Sequence, residues 1–222
     1  MATKVKLYYD VVSPYTWVAF EVLCRYRSRW NMSLELKPFF LGGIMQLSGN
    51  RPPGMVPNKA AYMVTDLKRL RKYYDVPLNI PKNPVDTMLN KGSLSAQRLL
   101  IAVRDRQPEK LEELSRQLWL RIWSRDEDIT AEESLREACQ ASDISSDLTS
   151  ELLSSIKDVS IKDKLKATTQ EAFDLGAFGS PFIVAYVDGK PEPFFGTDRF
   201  EILAQTIGEN WEGPLVNLKA KY

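Results

Sequence analysis

The sequence predicts an α/β fold in which a small mixed sheet is interrupted by a long helical block. Three observations carry this prediction: a strand–helix–strand pattern at the start, an almost unbroken helical pattern from Asn58 to Phe178, and a strand–turn–strand–helix pattern near the end. The order βαβ, helices, ββα puts half of the sheet on each side of the block. The predicted units are a discontinuous sheet domain, residues 1–57 and 179–222, and a helical insertion, residues 58–178.

Each element has a local reason. Val5, Leu7 and Tyr9 alternate as on one face of a strand. Ser13-Pro14 then reads as a helix start, because a serine hydroxyl caps free N–H groups and a proline at the first helical position has no N–H to leave unpaired. The helix that follows should carry Trp17, Phe20, Leu23 and Cys24 inward, and Leu34 to Phe40 reads as a second, parallel strand. From Leu41 to Pro57, Gly42-Gly43, Gly49-Asn50 and Pro52-Pro53-Gly54 predict a loop with one short ordered piece at most.

In the block, Asn58 should cap a helix reaching Tyr74, and Ser93 one ending before Pro108. Leu111, Leu114, Leu118 and Ile122 keep the spacing of a buried stripe, and Leu148, Leu152 and Ile156 continue at four-residue steps. Thr130 with Glu133 predicts a capping box, and Gly179 should close a helix over 163–178. Late in the chain, 182–187 is a β-forming run and Asp188-Gly189 a strong hairpin signal, with Pro193-Phe194-Phe195 beginning the return strand. Gly196 to Arg199 opens a last helix carrying Phe200, Leu203, Ala204 and Ile207.

Composition excludes several chemistries. The 222 residues contain 30 Lys+Arg, 29 Asp+Glu, 2 Cys and no His. Without histidine there is no Ser-His-Asp or Cys-His nucleophile pair, no His-ligated metal and no His general base. Cys24 and Cys139 form no C-x-x-C pair and read as reduced core thiols, not as a dithiol or a metal site. A net charge of +1 gives no bulk attraction to nucleic acid or anionic membrane, and Lys68-Arg69-Arg71-Lys72 reads as a solvated helix face. No apolar run approaches a membrane span. The start enters a strand pattern at once, and Lys219 to Tyr222 is not a Ser-Lys-Leu address, so an intracellular protein without metal, membrane or nucleic-acid partner is expected.

A βαβ half joined to a ββα half is the pattern of a four-stranded thioredoxin-type sheet, in which the turn after the first strand carries the reactive group at a helix N-terminus. Here that turn is Ser13-Pro14-Tyr15-Thr16, where a bacterial disulfide oxidoreductase has Cys-Pro-Tyr-Cys. Redox cycling through a protein dithiol is lost, while a hydroxyl and an electropositive helix end remain. Gly179-Ser180-Pro181 stands where this fold places a cis-proline facing the first turn, and the residue before that proline offers its backbone N–H and C=O to an extended, peptide-like ligand.

The nonapeptide 9–17, Ser48 to Gly54, Gly92 to Ala96, Trp123 to Thr130, Gly176 to Pro181 and Phe195 to Arg199 together resemble the kappa-class glutathione S-transferases, in order along nearly the whole chain. The resemblance implies a thioredoxin-like domain with a helical insertion, a homodimer, glutathione as co-substrate and small electrophiles of the aryl-halide type as second substrate. By position, Ser13 matches the serine contacting the glutathione sulfur, with Pro14 and Tyr15 completing its turn. Asn50 and Lys59 match residues binding the tripeptide backbone and its glycine end. Ser180, before Pro181, matches the position pairing with the cysteinyl backbone, where the family often has an apolar residue. Asp198 and Arg199 match the pair at the γ-glutamyl end. The resemblance also implies a mitochondrial or peroxisomal location.

The charges suit such a ligand: Asp198 can meet an ammonium, and Lys59, Arg199 and a helix end near Thr197 can meet carboxylates. A hydroxyl donor and a helix dipole favour a thiolate, the nucleophilic form of a thiol. Any peroxidase side activity would run through glutathione itself. Two other readings share these residues: a glutathione-dependent isomerase of the hydroxychromene-carboxylate type, and a redox-dead module binding peptides without turnover. Read singly, Ser13 and Thr197 are also ordinary helix caps, Asp198 and Arg199 ordinary first-turn charges, and Asn50 an ordinary turn former.

Overall fold

The computed structural model describes residues 2–215, so the expected address-free terminus Lys219 to Tyr222 lies outside the described residues. Strands β1 (Thr3–Tyr9), β2 (Met32–Pro38), β3 (Phe182–Val187) and β4 (Lys190–Phe195) form one mixed sheet in the order β2-β1-β3-β4. β1 and β2 are parallel, with Val5 beside Leu34; β1 and β3 are antiparallel, with Val5 beside Ala185; β3 and β4 form the expected hairpin. Asp188 and Gly189 both have positive φ, 51° and 77°, the conformation a two-residue hairpin turn demands. β4 begins directly after this turn, earlier than the Pro193 start expected, because Pro191 and Pro193 are tolerated on the outer strand of the sheet.

The two faces of β1 are covered differently. Its odd residues face α1 (Pro14–Tyr26) and the helical block: the Tyr9 ring packs 6.2 Å from Phe20 and 5.5 Å from Trp119, and its hydroxyl shares a hydrogen with Ser115 Oγ at 2.7 Å. Its even residues face α8 (Val159–Asp174), where Lys6 Nζ and Tyr8 OH both donate to Glu171 Oε1 at 2.7 Å. Lys6, Tyr8 and Lys37 together hold the Glu171 carboxyl at about 2, against the rise its burial alone would cause.

Between the halves of the sheet run α2 (Leu41–Ser48), α3 (Pro57–Tyr74), α4 (Leu94–Arg106), α5 (Leu111–Trp123), α6 (Glu132–Ala141), α7 (Ser146–Ser155) and α8; α9 (Phe200–Thr206) follows the hairpin. The Leu111–Ile122 stripe is buried, and the basic face of α3 is exposed. Cys139 is buried and Cys24 half-buried, both as free thiols. No described helix is long and apolar enough to cross a membrane.

Several boundaries differ from expectation, each for a physical reason. The loop after β2 contains the eight-residue α2, with Gly42 and Gly43 inside it: an added Cβ would stand 2.9 Å from the Phe40 ring at Gly42 and 3.2 Å from Thr169 at Gly43, so these glycines serve close packing. α3 starts at Pro57, leaving Asn58 inside the first turn and not at the cap. The Thr130 capping box does not form: Asp128 accepts from the Thr130 and Ala131 N–H groups at 2.6 and 2.7 Å, ahead of α6, whose N-cap is Ala131 without a side-chain cap. α8 ends at Asp174, where Gly176 takes the left-handed turn at φ 95°. Gly179 serves another purpose: a Cβ there would meet the Phe195 ring at 2.8 Å. α9 begins at Phe200 with no side-chain cap, and Thr197 lies buried before it.

Candidate functional site

The turn between β1 and α1 is built as the sequence implies. Ser13 is the N-cap of α1, in extended conformation, with its Oγ accepting from the Thr16 N–H at 3.2 Å and Pro14 at the first helical position. Its carbonyl accepts from Trp119 Nε1 of α5 at 3.2 Å, and the residue is only 5% exposed. A hydroxyl that accepts one hydrogen bond keeps its own proton to donate, and no acceptor for that proton stands among the described residues.

Two buried residues that sequence reasoning passed over hold the turn from beneath. Asp10 Oδ1 accepts from the Val12 N–H at 3.0 Å, and Oδ2 from the Leu41 N–H at 2.9 Å, with the Ser93 hydroxyl as a further partner. Ser93 therefore serves Asp10 and makes no capping bond to α4. Burial pushes the Asp10 carboxyl up to about 6, and the three hydrogen bonds pull against it. Gln97 accepts from Val11 N–H at 3.3 Å and donates to the Tyr9 and Phe39 carbonyls at 2.9 and 2.6 Å. One amide side chain thus ties the ends of β1 and β2 to the turn. The only sequence trace of this support is the presence of Asp10 and Ser93 inside the two stretches 9–17 and 92–96.

Further along α1, the wholly buried Glu21 accepts from Trp17 Nε1 at 3.0 Å and from Arg116 Nε at 3.0 Å, while Arg116 also reaches Glu112 and Glu113 of its own helix. Burial raises the Glu21 carboxyl and the Arg116 guanidinium opposes that rise.

The turn faces the loop before β3. The Ser180–Pro181 bond is cis, as expected, and Thr16 Oγ1 lies 2.6 Å from Ser180 Oγ. The Ser180 backbone N–H and C=O have no protein partner among the described residues. Asn50 joins from the α2–α3 connection: its Nδ2 donates to the Phe178 carbonyl at 2.7 Å and its Oδ1 accepts from the Arg51 N–H at 2.8 Å. Tyr15 OH donates to Asp66 Oδ2 of α3 at 3.0 Å, and burial followed by that carboxylate raises its phenol. Gly196 N–H donates to the Pro181 carbonyl at 3.2 Å, which sets the Asp198–Arg199 segment beside the cis bond.

The charged residues are held less firmly. Asp198 and Arg199 are exposed and pair with each other at 3.4 Å. Tyr74 OH donates to the Thr197 carbonyl at 3.0 Å, so Thr197 is a backbone anchor and neither a cap nor the start of a helix; the helix-end contribution expected there is withdrawn. Lys59 is exposed in the first turn of α3, two turns from Asp66. The structure therefore joins the Ser13-Pro14-Tyr15 turn to Ser180-Pro181 through Thr16, Asn50 to the same loop through Phe178, and the Asp198–Arg199 segment to Pro181 through Gly196. It gives Lys59 no bond to any of them. No group of three His, Cys, Asp or Glu among the described residues is placed to hold a metal ion.

Comparison with known proteins shows the family and the fold. The family described as DSBA-like thioredoxin domain matches residues 4–208. The chain is 49% identical over 211 residues to glutathione S-transferase kappa 1 of Homo sapiens, spanning 95% of this chain and 93% of that one. It is 46% identical over 210 residues to glutathione S-transferase kappa 1 of Rattus norvegicus, spanning 95% and 93%. Among solved structures, a 2-hydroxychromene-2-carboxylate isomerase superposes with a TM-score of 0.73 over 92% of this chain and 94% of that one; at 20% identity the likeness is one of fold.

Proposed function

The chain belongs to the DSBA-like thioredoxin family and, within it, to the kappa-class glutathione S-transferases, and on that premise we propose how this site performs glutathione transfer. The observation that carries the proposal is the pair of unpartnered backbone groups of Ser180, tied to the Ser13 turn through Thr16 at 2.6 Å. An extended tripeptide pairs its cysteinyl backbone with that N–H and C=O, which delivers its sulfur to the start of α1. There the Ser13 hydroxyl, already polarised by the Thr16 N–H, donates to the sulfur, and the helix dipole favours the anion.

The thiol proton leaves to water, since the carboxyl beneath the turn, Asp10, is fully buried and committed to the Val12 and Leu41 N–H groups. The thiolate then attacks the electrophilic carbon: for an aryl halide, the S–C bond forms and the halide departs with the electron pair of the C–X bond. Asp198 meets the γ-glutamyl ammonium, Arg199 and Lys59 meet carboxylates, and Asn50 meets the peptide backbone. Pro14 and Tyr15 shape the turn. Assembly as a homodimer, a mitochondrial or peroxisomal compartment and a role in detoxifying electrophiles belong to the same proposal, supported by the family resemblance.

The test is the ultraviolet absorbance of the thiolate as glutathione is added near neutral pH. Ser13→Ala should bind glutathione almost as well, raise the pKa of the bound thiol by about 1–2 units and slow turnover roughly 10- to 100-fold. Identical titration curves and full activity in the variant would reduce Ser13 to the cap of α1.

A further inference from the structure

We infer that Ser180 is a second hydroxyl donor to the glutathione sulfur, held in donating orientation by Thr16. This rests on the placement of the sulfur at the start of α1 proposed above. Two hydroxyls whose oxygens are 2.6 Å apart share one proton between them and have the other to spare. The surroundings decide which residue has the spare one.

Thr16 is fully buried, and Ser180 Oγ is the only partner of its hydroxyl among the described residues. Three other helical threonines bond to the carbonyl four residues back: Thr168 to Lys164 at 3.0 Å, Thr169 to Leu165 at 2.8 Å and Thr206 to Ile202 at 2.8 Å. Thr16 has no such outlet, because the residue four back, Val12, precedes the helix, which begins at Pro14. Were Ser180 the donor, the Thr16 proton would be buried without an acceptor, an arrangement folded proteins avoid. Thr16 therefore donates and Ser180 accepts.

Ser180 is only half-buried, so its own proton turns toward the open side, where its backbone N–H and C=O also stand unpaired. A hydroxyl that is already accepting is a stronger donor. The sulfur thus lies between two polarised hydroxyls: Ser13, which accepts from the Thr16 N–H, and Ser180, which accepts from the Thr16 O–H. Thr16 serves both as a positioning residue.

The experiment is a pH titration of thiolate absorbance in the glutathione complexes of wild type, Ser13→Ala, Ser180→Ala, Thr16→Val and the Ser13→Ala/Ser180→Ala double variant. S-methylglutathione binding is measured alongside, because that ligand has no thiol to ionise and reports only whether the backbone edge and fold survive. Ser180→Ala is expected to raise the bound thiol pKa by about 0.5–1 unit with S-methylglutathione affinity within about twofold of wild type. Thr16→Val should give a smaller rise, since the Ser180 hydroxyl remains but loses its orienting donor, and the double variant a larger rise than either serine alone. A titration moved by Ser13→Ala but not by Ser180→Ala overturns this inference and leaves the proposed site standing. No thiolate signal in the wild type overturns the placement of the sulfur and the inference with it.

Discussion

The turn carrying Ser13 and the rim carrying Lys59, Asp198 and Arg199 belong to one proposed site, yet the fold treats them differently. Ser13 is bonded to Thr16 and Trp119, and the residues around it are held by Asp10, Gln97 and Glu21. On the rim, Asp198 has a side chain 71% exposed and one ion-pair partner, its neighbour Arg199. The comparison teaches where the free energy of each task is stored. Stabilising a thiolate requires donors fixed before the ligand arrives, because reorganising them would cancel the gain. Recognising a charged tripeptide does not, since exposed ionic contacts form with the ligand and are screened by salt. Changes in the braced region should therefore appear as stability and reactivity, and changes on the rim as modest losses of affinity.

The largest effect expected is at the brace between α1 and α5. Arg116→Ala leaves Glu21 wholly buried with Trp17 as its remaining hydrogen-bond partner, and should cost about 3–5 kcal/mol in urea unfolding. Replacing both members by apolar residues, Glu21→Met with Arg116→Met, should recover most of that loss, because the charge and its desolvation leave together. A single variant losing under about 1 kcal/mol would break the contrast, since the turn would then stand without its brace.

Asp10 comes next and acts through pH. Its folded pKa of about 6 lies above the unbound value of 3.8, so the folded state binds the proton more readily than the unfolded chain. The stability this contributes is fully present below pH 3.8 and is lost as pH rises through 6, amounting to roughly 3 kcal/mol. Asp10→Asn should flatten that stretch of the melting profile, although its amide cannot accept from both Val12 and Leu41. Glu171 has the opposite sign: its stabilisation holds above its ordinary value of 4.5 and is lost as pH falls toward 2, so the acid limb should survive in the variant. A variant with the same slope as wild type between pH 4 and 6 would show that Asp10 is not the group titrating there.

The smallest effects belong to the rim. Asp198→Asn should weaken glutathione binding by about tenfold, and Lys59→Ala by about two- to threefold, both shrinking as salt is raised and both read by calorimetry. A loss beyond about 100-fold for Asp198 would sharpen the comparison, because it would mean the rim becomes desolvated when the ligand binds. Unchanged affinity in both variants would place the tripeptide elsewhere.

Legibility in the sequence followed the range of the interactions. Signals written within a few residues located the strands, the Ser13 cap and the Asp188-Gly189 turn, because alternation, Ser-Pro and Asp-Gly are local chemistry, whereas the cis bond at Pro181 followed only from the fold those signals predicted. Boundaries failed where two local options competed: Asp128 turned the Thr130–Ala131 N–H groups onto itself ahead of α6, and Gly176 stopped α8 before Gly179 could. The support of the turn was illegible for another reason. Gln97 reaches Val11 across 86 residues, Trp119 reaches Ser13 across 106, and Thr16 meets Ser180 across 164. One sequence without its fold contains no sign that these residues meet.

The order β2-β1-β3-β4 has a consequence for how the chain is made. The central strand β1 finds its first partner within the opening residues and its second only when β3 emerges, with the whole helical block synthesised in between. At translation speeds of about 5–20 residues per second, that leaves one edge of β1 open for roughly 7–30 s. An unpaired apolar strand edge is a template for pairing with other chains, and the exposure here is set by the length of an insertion and not by the sheet itself. Nascent chains halted inside the helical block should therefore be the species most dependent on chaperones, and each further residue inserted there would lengthen the time over which the half-built sheet stays adhesive.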